Sequence, residues 1–176
     1  GHDYAAQAVA SGAVAVLGDR LGLTQVAGAP YWYDARPRRA AGIAAHALAG
    51  DPSAGMVVVG ITGTNGKSST AYLTQAILNT AGRSAANFGT LGYHIGGAML
   101  PALHTTPFGE DLADLFARAR QAGHDHVVME VSSHALEQER VAGIAFNVAA
   151  FTNLTQDHLD FHQNMESYLR AKLKLF

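Results

Sequence analysis

The stretch GITGTNGKSST, Gly60 to Thr70, follows a run of valines and opens onto a lysine and a string of hydroxyl residues. Upstream, MVVVGIT (Met56 to Thr62) reads as a buried strand. Downstream, Lys67 to Ala81 reads as a helix that ends at Gly82, with Leu73, Ala76, Ile77 and Thr80 on one face. Strand, glycine loop, lysine, hydroxyl and helix in that order form the context a phosphate loop needs. Glycines let backbone N–H groups turn inward around phosphate oxygens, and the helix N-terminus adds its dipole. In this reading Lys67 reaches the β- and γ-phosphates and the Ser68 hydroxyl ligates Mg²⁺. The spacing departs from G-x-x-x-x-G-K-[ST], because Ile61 stands where that pattern has glycine. Glycines at 60, 63 and 66 give G-x-x-G-x-x-G-K-S instead. The plain alternative is an ordinary glycine turn before a helix.

Working outward, strands and helices alternate. Ser84 to Leu91 is extended, and Glu110 to Ala122 is a helix closed by Gly123. HVVMEVS (His126 to Ser132) and FNVAAFTN (Phe146 to Asn153) are further strands. The pattern implies an α/β fold, a mostly parallel P-loop-type sheet with flanking helices. Ligands bind such sheets at the carboxyl ends of the strands. Three of those ends carry polar clusters, GTNGKSS, EVSSH and TNLTQDH. Nearer the N-terminus, Tyr4 to Ala10 reads as a short helix, Ala13 to Leu17 as a strand and Arg36 to Leu48 as a helix. GDPSAG (Gly50 to Gly55) gathers turn formers and marks the best boundary. Residues 1–52 are then the remnant of a smaller α/β N-terminal domain, and residues 53–176 the first part of a larger one. The chain opens without Met and stops inside a helical pattern, so a fragment of a longer protein is expected.

Several single residues carry chemistry. Glu130 closes an otherwise apolar strand; a carboxylate there is either an exposed strand end or is paired with a cation. Ser132, Ser133 and His134 lack the G-x-S-x-G elbow of a hydrolase. His158 and His162 are four apart, but Leu159 stands where a zinc protease needs Glu. A magnesium or ATP-site role suits His158 better. His2, His46 and His124 are taken as surface residues. In a helix from Met165 to Phe176, the residues Met165, Tyr168, Leu169, Leu173 and Phe176 share one face. Lys172 falls in its middle, while Arg170 and Lys174 point away. Either Lys172 snorkels, or its amine is held inward because it is used. Burial depresses a lysine pKa, and a neutral amine can take up CO₂ as a carbamate.

Composition narrows the classes. The 176 residues carry a net charge of −2, and cysteine is absent. No basic field argues for nucleic acid, no disulfide or thiolate chemistry is available, and no apolar run reaches a membrane span. The stretch GHDYAAQAVASG lacks the charged start and apolar core of a signal peptide. A cytoplasmic monomer acting on small molecules is the expectation.

With GITGTNGKSST, HTTP (His104 to Pro107), EVSSHALEQERV (Glu130 to Val141), FTNLTQDHLDFH (Phe151 to His162) and the MESYLRAKLKLF helix in order, the chain resembles the Mur ligase family. Within it, the branch that adds the third amino acid of the peptidoglycan peptide is most similar; EVSSH followed by Gln138 and Arg140 marks that branch. GTNGK alone is shared with folylpolyglutamate synthetases, against which the same stretch speaks. A P-loop switch module is the reading from another class. The resemblance implies that ATP phosphorylates the D-Glu carboxylate of UDP-MurNAc-L-Ala-D-Glu. The acyl phosphate is then attacked by the amine of meso-diaminopimelate or L-lysine.

The resemblance also assigns residues. Gly63, Thr64, Asn65, Gly66, Lys67, Ser68 and Ser69 hold the triphosphate, and Asn153 belongs to the same ATP motif. Ser68, Glu130 and His158 serve magnesium. Thr105, Thr106, Ser132, Gln138 and Arg140 hold the muramoyl dipeptide, with Arg140 facing an anionic group. Lys67, His158 and Lys172 are the catalytic set, Lys172 as a carbamylated lysine. His104 stands where family members often carry Asn. Family segments expected upstream, for uridine, and downstream, for amino-acid selection, lie outside these residues, so the fragment alone is expected to be inactive in ligation.

Overall fold

The structure, a computed structural model, describes residues 2–176. A 3₁₀ turn (His2–Tyr4) leads into α1 (Ala5–Ala10), followed by β1 (Val16–Gly18), β2 (Gln25–Val26), β3 (Ala29–Tyr33) and α2 (Pro37–Leu48). These strands form a small sheet of order β1-β3-β2, with β1 parallel and β2 antiparallel to β3. After the turn at residues 50–56 come β4 (Val57–Thr62), α3 (Lys67–Thr80), β5 (Ala85–Gly89), β6 (Gly92–Ile95) and β7 (Ala98–Leu100). Next are α4 (Gly109–Gln121), β8 (His126–Glu130), α5 (Ser133–Glu137), β9 (Val148–Phe151), α6 (Leu159–His162) and α7 (Met165–Leu173). The second sheet has six strands in the order β7-β6-β5-β8-β4-β9. β5, β8, β4 and β9 run parallel, and β6 and β7 continue as an antiparallel meander. The mostly parallel α/β sheet expected from the alternation is present.

Burial on both faces explains the near-continuous apolar β4 and β8. On one side Val58, Phe88, Val127 and Met129 pack with Leu112 and Phe116 of α4. On the other, Ile61 and Val128 pack with Ala71 of α3, joined by Val59, Leu78 and Ala150. Gly60 lies inside β4, where any Cβ would meet the Phe146 ring at 2.7 Å. It therefore makes room for core packing and is not part of the loop that follows. α2 lies on α4 with their backbones almost touching: a Cβ on Gly109 would sit 2.6 Å from the Cα of Gly42.

Several expectations need correction. Leu73, Ala76, Ile77 and Thr80 do share a face of α3, but it is the solvent face. The helix meets the sheet through Ala71 and Leu78, seven residues apart, and through polar ties. Gln75 donates to the Ala85 carbonyl, and Asn79 accepts from the Ala85 amide. In α7 the buried face is Tyr168, Ala171 and Lys172, continued by Leu175, while Leu173 and Phe176 are exposed. Lys172 is buried to its tip, so it does not snorkel. His46 is not a surface residue: it is buried against Phe116. His124 is half-exposed and bridges Ser84 to the Gly96 amide. The side chain of His2 lies outside the described residues. His158 is the left-handed cap of α6 (φ 52°), so it does not share a helical face with His162.

Candidate active site

Because β5, β8, β4 and β9 are parallel neighbours, their carboxyl ends emerge on one edge. Gly89–Thr90, Glu130, Thr62–Gly63 and Phe151–Asn153 stand there side by side. The three polar clusters of the sequence meet at this edge.

The glycine loop is shaped by the exit of β9. Thr64 N–H donates to the Asn153 carbonyl, and Asn65 N–H to Asn153 Oδ1 at 3.0 Å. Asn153 Nδ2 and Thr152 Oγ1 both donate to the Asn65 carbonyl. The Asn153 amide is thus engaged with the loop backbone, which it holds open. Thr64 turns its hydroxyl inward, bonded to Tyr168 and to both backbone groups of Thr155. Gly63 has φ 140°, and a Cβ there would overlap Thr152 Oγ1, so only glycine passes. Gly66, left-handed at φ 84°, starts α3. The first-turn amides of that 14-residue helix have no intrahelical partner, and no side chain caps them. Ser68 is half-buried and Ser69 exposed beside them.

Two lysines converge on this loop. Lys67 Nζ donates to the carbonyls of Gly63 (3.0 Å) and Thr64 (2.8 Å). Lys172 Nζ, arriving from α7, donates to the same Gly63 carbonyl at 2.7 Å and lies over the Tyr168 ring. Burial and then the charge of Lys67 push the Lys172 ammonium down to about 8, with Asp157 opposing. Burial also lowers Lys67, which Glu130 and Asp157 partly offset. Both lysines therefore sit within the field of Asp157, and Lys67 within that of Glu130 as well. Sequence reasoning passed over Asp157 and Tyr168. Their signal was present, since Asp157 sits in the same polar cluster as His158 and Tyr168 lies one helical turn before Lys172.

Glu130 is 1% exposed, so it is not a solvated strand end. Its Oε1 accepts from Thr90 N–H at 2.9 Å and its Oε2 from the Thr90 hydroxyl at 3.2 Å. Among the described residues no group of three or more His, Asp or Glu side chains forms a metal cage. The donors present fit Mg²⁺ of the kind that takes one carboxylate and completes its shell with phosphate oxygens and water. His158 is 46% exposed, next to Asp157, and its ring faces His134 and Tyr168. It reaches the loop through Tyr168 rather than touching Glu130. His162 is engaged elsewhere: its Nε2 pairs with Ser133 Oγ at 2.9 Å in a buried contact.

The expected acceptor-side residues form a second connected group. Arg140 presents Nε and Nη2 to Gln138 Oε1 and Nη1 to the Thr106 carbonyl, with its guanidinium over Phe108. Thr106 is buried, and its hydroxyl latches onto the Glu130 carbonyl and the Ser132 amide. Ser132 caps α5 through Ala135 N–H. Thr105 is half-exposed beside Thr90, and His104 is exposed against Phe108. Arg140 also borders a cavity of about 660 Å³ between the small sheet and α4. Tyr4, Gly18, Asp19, Arg38 and Glu110 line its other walls. The cavity lies beyond Arg140, away from the glycine loop.

Residues 61–176 match the family model described as Mur ligase middle domain. The chain is 48% identical over 176 residues to the UDP-N-acetylmuramoyl-L-alanyl-D-glutamate--2,6-diaminopimelate ligase of Solibacter usitatus, covering 100% of this chain and 35% of that protein. It is 48% identical over 183 residues to the enzyme of the same name from Corynebacterium efficiens, covering 100% of this chain and 34% of the relative. A solved structure of a ligase of that name superposes with a TM-score of 0.80 at 32% identity, over 99% of this chain and 35% of the other. MurF ligase from Thermotoga maritima in complex with ADP shares the fold, with a TM-score of 0.58 at 20% identity over 99% of this chain and 36% of the other. The chain thus spans about a third of the length of the curated relatives it matches. Among the described residues no helix is long and apolar enough to cross a membrane.

Proposed function

The chain belongs to the Mur ligase family, and from that premise we propose that it carries the nucleotide-binding and acceptor-binding part of an ATP-dependent amide ligase. The ligase adds a diamino acid, meso-diaminopimelate or L-lysine, to UDP-MurNAc-L-Ala-D-Glu. The observation that carries this reading is the convergence of Lys67 and Lys172 on the Gly63 carbonyl, beside Glu130 at the strand tips. Half-buried Lys67 and buried Lys172 bring two amines to one loop, and the Lys67 cation suits a ligand with clustered negative charge, such as a triphosphate.

In this reading the stretch from Gly63 to Ser69 holds the phosphates: Asn153 fixes the Thr64 and Asn65 amides, and the free amides at the start of α3 point their dipole at the anion. Lys67 leaves its two carbonyls for the β- and γ-phosphate oxygens and follows the charge that moves with the γ-phosphoryl group. Ser68, Glu130 and His158 would hold Mg²⁺, which when bound neutralises the crowded phosphate and carboxylate oxygens. Thr105, Ser132, Gln138 and Arg140 orient the muramoyl dipeptide so that its D-Glu carboxylate meets the γ-phosphate. Thr106 supports them by fixing the turn after β8. Gln138 and Arg140 already hold each other, so binding an anion costs them little ordering. The cavity behind Arg140 offers room for the bulk of the acceptor. Lys172, pushed down to about 8, has a fraction of neutral amine at physiological pH. That amine can add CO₂ and release a proton, which exchanges the second cation for an anion beside the metal position.

The test is substrate-dependent turnover. In a longer protein containing this chain, phosphate release is expected only when both UDP-MurNAc-dipeptide and the diamino acid are present. Release on ATP alone would favour the switch reading. Residues 1–176 by themselves are expected to bind nucleotide and to form no tripeptide product. Replacing Lys67 with Ala is expected to weaken binding of an ATP analogue at least ~100-fold, consistent with the loss of a charge-assisted contact of up to ~3 kcal/mol. Equal affinities by calorimetry would overturn the phosphate-loop assignment.

A further inference from the structure

Thr90 has no role in the reading above, yet it stands where the two halves of the site touch. It follows β5 directly and is itself exposed. Its amide donates to Glu130 Oε1 at 2.9 Å and its hydroxyl reaches Glu130 Oε2 at 3.2 Å. The same hydroxyl is 3.0 Å from Thr105 Oγ1. A hydroxyl has one hydrogen to give and two lone pairs to receive with. The single hydrogen of Thr90 is therefore shared between two acceptors, Thr105 Oγ1 and Glu130 Oε2, so the bond to one weakens the bond to the other. The preceding residue completes the seat: a Cβ on Gly89 would overlap the Glu130 carboxylate, so the strand leaves that space to the acid.

Resting on the ligase reading, we infer that Thr90 is a positioning residue that aims the Glu130 carboxylate at the cation position and ties it to Thr105 on the acceptor side. A buried carboxylate on an apolar strand has few ways to keep one orientation, and groups behind a metal ligand set its affinity as well as its aim. Through the shared hydrogen, a substrate group that takes the Thr105 hydrogen bond alters the group that orients Glu130. The acceptor and the divalent cation are thereby linked, each changing the affinity for the other by the same factor.

The experiment uses a longer protein containing this chain and titrates Mn²⁺ into it with a non-hydrolysable ATP analogue, reading free Mn²⁺ by electron paramagnetic resonance. Each titration is run with and without UDP-MurNAc-L-Ala-D-Glu. The native chain is expected to bind Mn²⁺ more tightly when the acceptor is present. Thr90→Val keeps the amide and the shape but removes the hydroxyl; it is expected to weaken Mn²⁺ about 10-fold or more and to erase the acceptor's effect. Thr90→Ser restores the hydroxyl and is expected to recover both. Thermal unfolding of Thr90→Val should match the native chain, because the residue is exposed, which separates positioning from folding. Gly89→Ala, which crowds the carboxylate itself, should weaken Mn²⁺ with Thr90 intact. Native affinity and native acceptor dependence in Thr90→Val would overturn the proposal alone. Failure of the native chain to bind the Mn²⁺–nucleotide pair would overturn the ligase reading and the proposal with it.

Discussion

Lys172 and His46 are both basic side chains at 1% exposure, and the structure treats them in opposite ways. Lys172 has the Gly63 carbonyl, the Tyr168 ring face, the repulsion of Lys67 and the attraction of Asp157. His46 sits on α2 against Phe116 of α4 and the Gly143 backbone, and neither ring nitrogen has a hydrogen-bond partner among the described residues. Asp51 is the one charge that favours its protonation. Burial alone therefore does not mark a functional base. What separates the two is convergence: Lys172 lies where four strand ends deliver polar groups, and His46 lies in a seam between helices where its neighbours are apolar.

The sharpest way to break the contrast is a pair of variants: Lys172→Ala, which opens space for the rescue below, and Lys172→Met, which keeps the side-chain length and removes only the amine. In Lys172→Ala, turnover of the longer enzyme should fall to background and be partly restored by short carboxylic acids, which can stand in for a carbamate. Normal activity without any addition would remove Lys172 from the chemistry. Lys172→Met reads out the cost of burial. The folded chain holds this ammonium near 8, below the 10.5 of an ordinary lysine, so the unfolded chain binds the proton more strongly. Stability should therefore rise with pH between about 8 and 10.5, by on the order of 3 kcal/mol, and the Lys172→Met chain should lack that rise. Denaturant midpoints collected across this window for both chains make the comparison.

His46→Leu should give a smaller effect of the same sign at a lower pH. Burial lowers the His46 pKa below 6.5, so the fold prefers the neutral ring. Its contribution is complete above 6.5 and is lost as pH falls through that value toward the folded one. His46→Leu should flatten this acid limb and raise stability at neutral pH by about 1 kcal/mol, because two unsatisfied nitrogens leave the core. Unchanged acid sensitivity would show that the limb belongs to other groups. Ligand binding at the strand tips should not move, since α2 is remote from the loop.

This pair also shows what the sequence could convey. The parallel sheet and its polar edge were legible because strand, loop and helix periodicities are local, and because parallel strands deliver their ends to one side. Lys172 was flagged because it interrupts an apolar face. The actual face, Tyr168, Ala171, Lys172 and Leu175, is rotated from the one read, since the chain turns out of α7 after Leu173 and leaves Phe176 in solvent. His46 was missed because nothing local announces a close glycine seam: Gly42, Gly109 and Gly143 draw the backbones together and enclose the ring. Thr90 and Asp157 were missed for a related reason, as each acts through a partner 40 or more positions away, or on a lysine from another element.

The mildest test turns on α3, whose two faces invert the usual order. Its sheet side is held by small Ala71 and by the amides of Gln75 and Asn79, while Leu73 and Ile77 stand 65% and 68% exposed. Apolar periodicity alone would place Leu73 and Ile77 against the sheet. The double change Leu73→Gln with Ile77→Gln removes almost no buried area and exchanges Ile for a slightly better helix former. The expected shift in stability is within about 0.5 kcal/mol, with nucleotide affinity unchanged. Should Leu73 and Ile77 instead be the packed face, losing two buried side chains would cost several times that, on the order of 2 kcal/mol each. Gln75→Leu gives the converse: it empties the Ala85 carbonyl of its donor, and it should destabilise the chain more than the two outer changes together.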